Sequence, residues 1–167
     1  MTHNLKIIPQ EQDDSCGPAA LRMILATYGT NVSEKTLRKR CRLNSIGTSG
    51  ENIVRAAQSY GYQSFLKDNC SWNDLKIEIK KNPVIIDWFS NGSGHYSVGI
   101  EVYGSNERLV IADPEYGVTR EMFRPDFMAV WFDYKGLFPK TPLDMILRRM
   151  IVVQNQDIKT KSLDERI

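Results

Sequence analysis

The chain has 167 residues, enough for one domain whose core is stable without disulfides or metals. At 41% hydrophobic and 25% charged residues it has the composition of a soluble globular protein, and its net charge of +2 is spread along the chain, so nothing points to nucleic acid; "RKRC" at 38–41 fits a solvated helix face as well as it fits a binding patch. The start "MTHNLKIIPQ" is too polar for a signal peptide, no segment reaches the roughly eighteen apolar residues of a membrane span, and the three cysteines stand at spacings that give neither a disulfide framework nor a zinc pattern, so a reducing, cytoplasmic setting is expected.

In chain order, "LKIIP" predicts a short edge strand or an extended lead-in that stops at its proline. From Cys16 onward Ala20, Leu21, Ile24 and Leu25 recur at helical spacing, and Gly29 follows, so a helix is predicted over 16–28. Ser33 is placed to cap a second, short helix, and Thr48 or Ser49 a third that Gly61 closes. Ser71 and Asp74 approach a capping box for a fourth helix, ended by Asn82-Pro83. The first half therefore reads as helical. After Pro83, "VIIDWF", "HYSVGIEVYG" and "RLVIADPEYG" are runs of strand length, and "SNERL" is short enough to pair the last two as a hairpin. "RPDFMAVWFDYKG" predicts a short helix or turn packed on the sheet, and "RRMIVVQ" a last strand. Residues 154–167 read as a polar, flexible tail after a single domain over 1–153. Helices followed by strands predict an α+β fold.

Histidine is scarce: His3 lies near the terminus, and His95 opens a predicted strand. If a cysteine is activated by an imidazole, His95 is the partner. Cys16 stands at a helix start, where partial positive charge favours a thiolate and a free backbone N–H can meet a developing oxyanion. Gly17 leaves room for a substrate backbone. Asp113 ends the strand paired with the one that His95 opens, so its carboxylate falls near the imidazole and can fix its tautomer. Gln10 or Gln12 can supply a neutral oxyanion donor, with Gln10 the easier loop geometry.

Each feature has a plainer reading, because a free cysteine also behaves as a small buried hydrophobe and glutamines in loops are usually solvated. Their joint order carries the chemical reading: amide, thiol at a helix start, imidazole at a strand start, carboxylate at a paired strand end. Cys41 sits near a helix end, where the dipole opposes a thiolate. Cys70 would compete with Cys16 for the same histidine. Asp87 replaces Asp113 as orienter if the strand order differs. Trp88, Tyr96, Trp131 and Phe132 are read as core.

With these residues in place, "Q-x5-CGPAAL" at 10–21, "GHYSVGIEV" around His95 and "VIADPEYG" around Asp113 resemble the papain-like peptidase domains that process bacteriocin precursors, cysteine peptidase family thirty-nine. The resemblance spans about residues 5–153. It implies a papain-like α+β fold, a helical half bearing the cysteine and an antiparallel sheet half bearing His95 and Asp113, with the cleft between them. It implies Cys16 as nucleophile, His95 as general base and acid, Asp113 as orienter and Gln10 as oxyanion amide, in a cofactor-free cysteine peptidase acting on a peptide or small protein, such as a leader peptide cut after a double glycine. Unlike exporter-linked members the chain has no "GxxxxGK[ST]" loop, so a stand-alone domain with a separately encoded exporter is expected. An acyl transferase or isopeptide-forming enzyme of the same fold, and a non-catalytic peptide-binding module, are the alternatives.

Overall fold

The computed structural model describes residues 3–155. Five helices and eight strands follow in chain order: α1 (Cys16–Thr27), α2 (Glu34–Arg40), α3 (Gly50–Gln58), β1 (Gln63–Lys67), α4 (Trp72–Lys81), β2 (Val84–Ser90), β3 (Ser93–Tyr103), β4 (Arg108–Asp113), β5 (Val118–Phe123), α5 (Arg124–Val130), β6 (Phe132–Tyr134), β7 (Met145–Leu147) and β8 (Arg149–Gln154). Six strands form one antiparallel sheet in the order β1-β8-β2-β3-β4-β5, and β6 pairs with β7 apart from it.

The expected α+β architecture is present, and the helix punctuation works as the sequence implies. Ser33 accepts from the Thr36 amide, Ser49 from Asn52, and Ser71 with Asp74 forms a full capping box at α4. Gly29, at φ +88°, follows α1 in the left-handed conformation that lets a chain leave a helix. The hairpin expected at 105–109 joins β3 to β4 antiparallel.

Strand alternation splits the core in two. Ile85, Val98, Ile151 and Val153 face Leu21, Ile24, Ile53 and Ala57 of α1 and α3. Val84, Ile86, Ile111 and Met150 face Leu75 and Ile79 of α4, Phe127 of α5 and Trp131 just after it. Helices therefore cover both faces of the sheet, so the division into a helical half and a sheet half is looser than expected. Among the described residues no helix is long and apolar enough to cross a membrane.

Other expectations are corrected. The first half contains β1, whose outward residues Gln63, Phe65 and Lys67 are exposed. Residues 5–9 form the extended lead-in and no strand. "VTREMF" is an edge strand, β5, and "RPDFMAVWFDYKG" divides into α5 and β6. The strand at the carboxyl end, β8, lies inside the sheet between β1 and β2. The predicted tail lies, from residue 156, outside the described residues.

Candidate active site

α1 begins on Cys16, and no side chain caps it: Ser15 stands at the N-cap without bonding the first-turn amides. Its hydroxyl is engaged elsewhere, donating to Glu34 Oε1 at 2.6 Å and accepting from the Gln12 amide at 3.1 Å. Glu34 is fully buried, and its two carboxylate oxygens also receive the Glu11 amide at 3.0 Å each. A buried carboxylate on α2 thus ties down the loop that leads into the cysteine, while the start of α1, with Pro18 in its first turn, keeps its amide end free of protein caps.

Cys16 is partly exposed, whereas Cys41 and Cys70 are buried. Burial pushes the Cys41 thiol up to about 12 and the Cys70 thiol up to about 11, which disfavours both as nucleophiles.

His95 and Asp113 meet as the hairpin geometry implied. His95 Nε2 lies 2.8 Å from Asp113 Oδ1, with both residues buried. An ionised carboxylate only accepts, so Nε2 is the donor, and the other ring nitrogen is left free of Asp113, while Cys16 lies near enough for its charge to act on the ring. Burial works against the imidazolium, but the bond to Asp113 and the charges of Cys16 and Asp113 outweigh it and raise the histidine to about 9. Asp113 is fully enclosed, which by itself would raise it; the bonds from His95 and Arg120 and the Glu115 amide hold it below the usual carboxylate range instead. Arg120, on β5, donates to Asp113 Oδ2 at 2.8 Å and lies 5.3 Å from the Trp88 ring centre. Trp88 in turn packs edge-on against the imidazole at 5.9 Å.

Gln10 is brought to this end of the sheet by its backbone, whose amide donates to the Pro114 carbonyl at 2.8 Å. Its side-chain amide donates to the carbonyls of Gln12 and Asp13 at 2.9 and 3.0 Å. An oxyanion would compete with those two acceptors. Gln12 contributes backbone groups to the loop.

Two expectations do not match the geometry. The space above Gly17 is filled: an added methyl would meet Ile53 at 3.1 Å, Tyr96 at 3.2 Å and Thr48 at 3.3 Å. The glycine serves close packing of α1 on β3, not substrate approach. Asp87, the alternative orienter, pairs in register with Tyr96 and Arg149, and its oxygens make no bond to His95. Trp88, Tyr96 and Trp131 are core residues as read, while Phe132 is half-buried and stacks on Phe89 at 5.1 Å.

Arg120, Glu34 and Asp133, whose carboxyl lies against Gly94, went unnoticed in the sequence. For Arg120 a signal existed: "DPEYG" is a turn whose Gly117 amide returns to the Asp113 carbonyl at 2.9 Å, and a strand after it places Arg120 on the carboxylate. The ligand atoms of His95, Asp113 and Glu115 lie within 4.8 Å of one another. Asp113 is already held by the imidazole and a guanidinium, so this set is an oriented ion pair and not an open cation cage.

The arrangement supplies a partly exposed thiol at an uncapped helix start, an imidazole near enough to feel its charge, and a buried carboxylate fixing that imidazole. The sequence model of the Peptidase C39 family matches residues 4–141. The chain is 31% identical over 138 residues to the lactococcin-G-processing and transport ATP-binding protein LagD of Lactococcus lactis subsp. lactis, a match covering 81% of this chain and 19% of LagD. It is 34% identical over 130 residues to the mesentericin-Y105 transport/processing ATP-binding protein MesD of Leuconostoc mesenteroides, covering 74% and 17%. The chain thus spans less than a fifth of these transporters. Among solved structures, the peptidase domain of Streptococcus ComA, a bi-functional ABC transporter involved in quorum sensing, superposes with a TM-score of 0.72 at 26% identity, covering 92% of this chain and 100% of that domain.

Proposed function

The chain belongs to the Peptidase C39 family, and on that premise we propose that it is a cysteine peptidase that cleaves peptide or small-protein substrates through a thioester, with Cys16, His95, Asp113 and Gln10 as its working residues. The observation that carries this reading is the imidazole of His95 fixed by Asp113 with Cys16 close enough to shift its titration. Cys16 Sγ attacks the scissile carbonyl carbon. The oxyanion so formed is met by the free amide end of α1 and by the Gln10 amide, released from one of its loop carbonyls. The His95 imidazolium passes its proton to the leaving amine, and a thioester remains. Neutral His95 then takes a proton from water as the water attacks the thioester, and the acid product leaves with the thiolate restored. Asp113 keeps the ring oriented and stabilises its charged form without itself taking up the proton.

A leader peptide is the substrate we favour, because the named relatives LagD and MesD are processing and transport proteins; a separately encoded exporter is the corresponding partner and the cytoplasm the corresponding place. The test is incubation with a proteome-derived peptide library, with cleavage sites read by mass spectrometry. The expected result is cleavage that Cys16→Ala abolishes, together with iodoacetamide labelling of Cys16 and not of Cys41 or Cys70. Products that carry an added amine instead of water would identify an acyl transferase. Binding without turnover, unchanged in Cys16→Ala, would identify a peptide-binding module and sink the proposal.

A further inference from the structure

Beside this site lies a buried acidic pair that the chemistry above does not use. Asp87, on β2, is fully enclosed, and neither of its oxygens receives a hydrogen bond from an N–H or hydroxyl group. Its register partners are Tyr96 on β3 and Arg149 on β8. The cation of Arg149 is directed away: it gives Nε to Asp68 Oδ1 at 2.7 Å and Nη2 to Asp68 Oδ2 at 2.9 Å, with Glu51 at 3.5 Å. The carboxyl of Asp133, on β6, lies close enough for its charge to act on Asp87, and β6 packs on the same strand through Phe132 and Phe89. That carboxyl is pressed onto Gly94, whose absent methyl would fall 2.1 Å from Asp133 Oδ2. Gly94 directly precedes His95.

Two ionised carboxylates brought together out of water repel and can only accept; one proton held between them removes the repulsion and supplies the donor that the Asp87 oxygens lack. We propose that Asp87 and Asp133 form a buried carboxyl pair sharing one proton, which positions the Gly94–His95 segment and limits to one the negative charges that β2 and β6 turn toward Cys16. The inference rests on the reading of Cys16 and His95 as nucleophile and base, and makes Asp87 and Asp133 positioning residues for them. Burial, then the charge of the neighbouring carboxyl, pushes Asp87 well above the usual carboxylate range, and burial raises Asp133. The groups facing the pair are Cys16 from α1, Tyr96 from β3 and Arg149 from β8. Glycine is required at 94 because any side chain would displace Asp133.

The shared proton is read by a carboxyl carbon-13 NMR titration of aspartate-labelled protein, with the two resonances assigned from Asp87→Asn and Asp133→Asn. The expected result is one proton retained by the pair at neutral pH; two carboxylates ionised in the ordinary acidic range would overturn the pair. Its effect on the sulfur is read by iodoacetamide kinetics on folded variants. Asp133→Asn keeps a single charge on Asp87 and an amide to bond it, whereas the double variant Asp87→Asn with Asp133→Asn carries none. At mildly acidic pH the double variant should be alkylated at Cys16 on the order of tenfold faster than the single one, because one unit charge facing the thiolate is gone. Equal rates would refute the electrostatic role. The titration and the alkylation need no peptide substrate, so absence of cleavage with both results as expected counts against the proposed function alone.

Discussion

Asp113 sets the protonation behaviour of His95, the base of the proposed chemistry. Asp113→Asn removes the charge that helps raise His95, while an amide at the same place favours the wrong tautomer. The rate should fall on the order of 10²-fold to 10⁴-fold, and the loss of the imidazolium with rising pH, set near 9 in the native protein, should move to lower pH; a kcat/KM profile against pH checks both. Gly17→Ala should destabilise the fold by about 1–3 kcal/mol by overpacking against Ile53, Tyr96 and Thr48, measurable by urea unfolding. Cys16, His95 and Asp113 were legible in the sequence because histidine is scarce and the strand hairpin predicts which ends meet. Glu34, Arg120 and Asp133 were not. Each acts across a contact between distant segments, and nothing in the local pattern of "SEKTLRKR" tells a buried glutamate from a solvated one.

Helices were easier to read than strands, for a physical reason. A helix is marked by its own caps, and Ser33, Ser49 and Ser71 all act as such. Ser71→Ala should therefore cost α4 about 1 kcal/mol, seen as a lower urea midpoint with catalysis intact. Strands are marked by what they face. β2 to β4 are buried along most of their length and read as apolar runs. β1 keeps only Ser64 and Leu66 inward, and β5 only Arg120 and Met122 partly so. Edge strands with so little apolar commitment leave almost no alternation to find. β6 is three residues long and is fixed by ring stacking of Phe132 on Phe89, a tertiary contact that the sequence does not announce.

At the scale of the whole molecule the buried charges give stability a definite dependence on pH. His95 is raised to about 9 from an ordinary 6.5, so its contribution is complete below pH 6.5 and is lost as pH rises through about 9. Asp113 is lowered, so its contribution is present above the ordinary carboxylate value and is lost as pH falls through its folded one. Asp87 and Asp133 are raised, so they favour the unfolded chain increasingly as pH climbs past the ordinary carboxylate range. The three effects together predict a melting temperature that peaks in mildly acidic solution and falls on both sides, read by thermal melts across pH. The sheet order adds a consequence for how the fold comes into being. Among the described residues β1 has β8 as its sole partner, and β8 separates it from β2, so residues 63–67 wait, during synthesis, for residues 149–154 to leave the ribosome. A nascent chain that has already made Cys16, His95 and Asp113 still lacks the strand that joins the two sides of the sheet. Cys16, His95 and Asp113 all leave the ribosome before β8, and the scaffold that aligns them closes only once nearly all of the described residues exist.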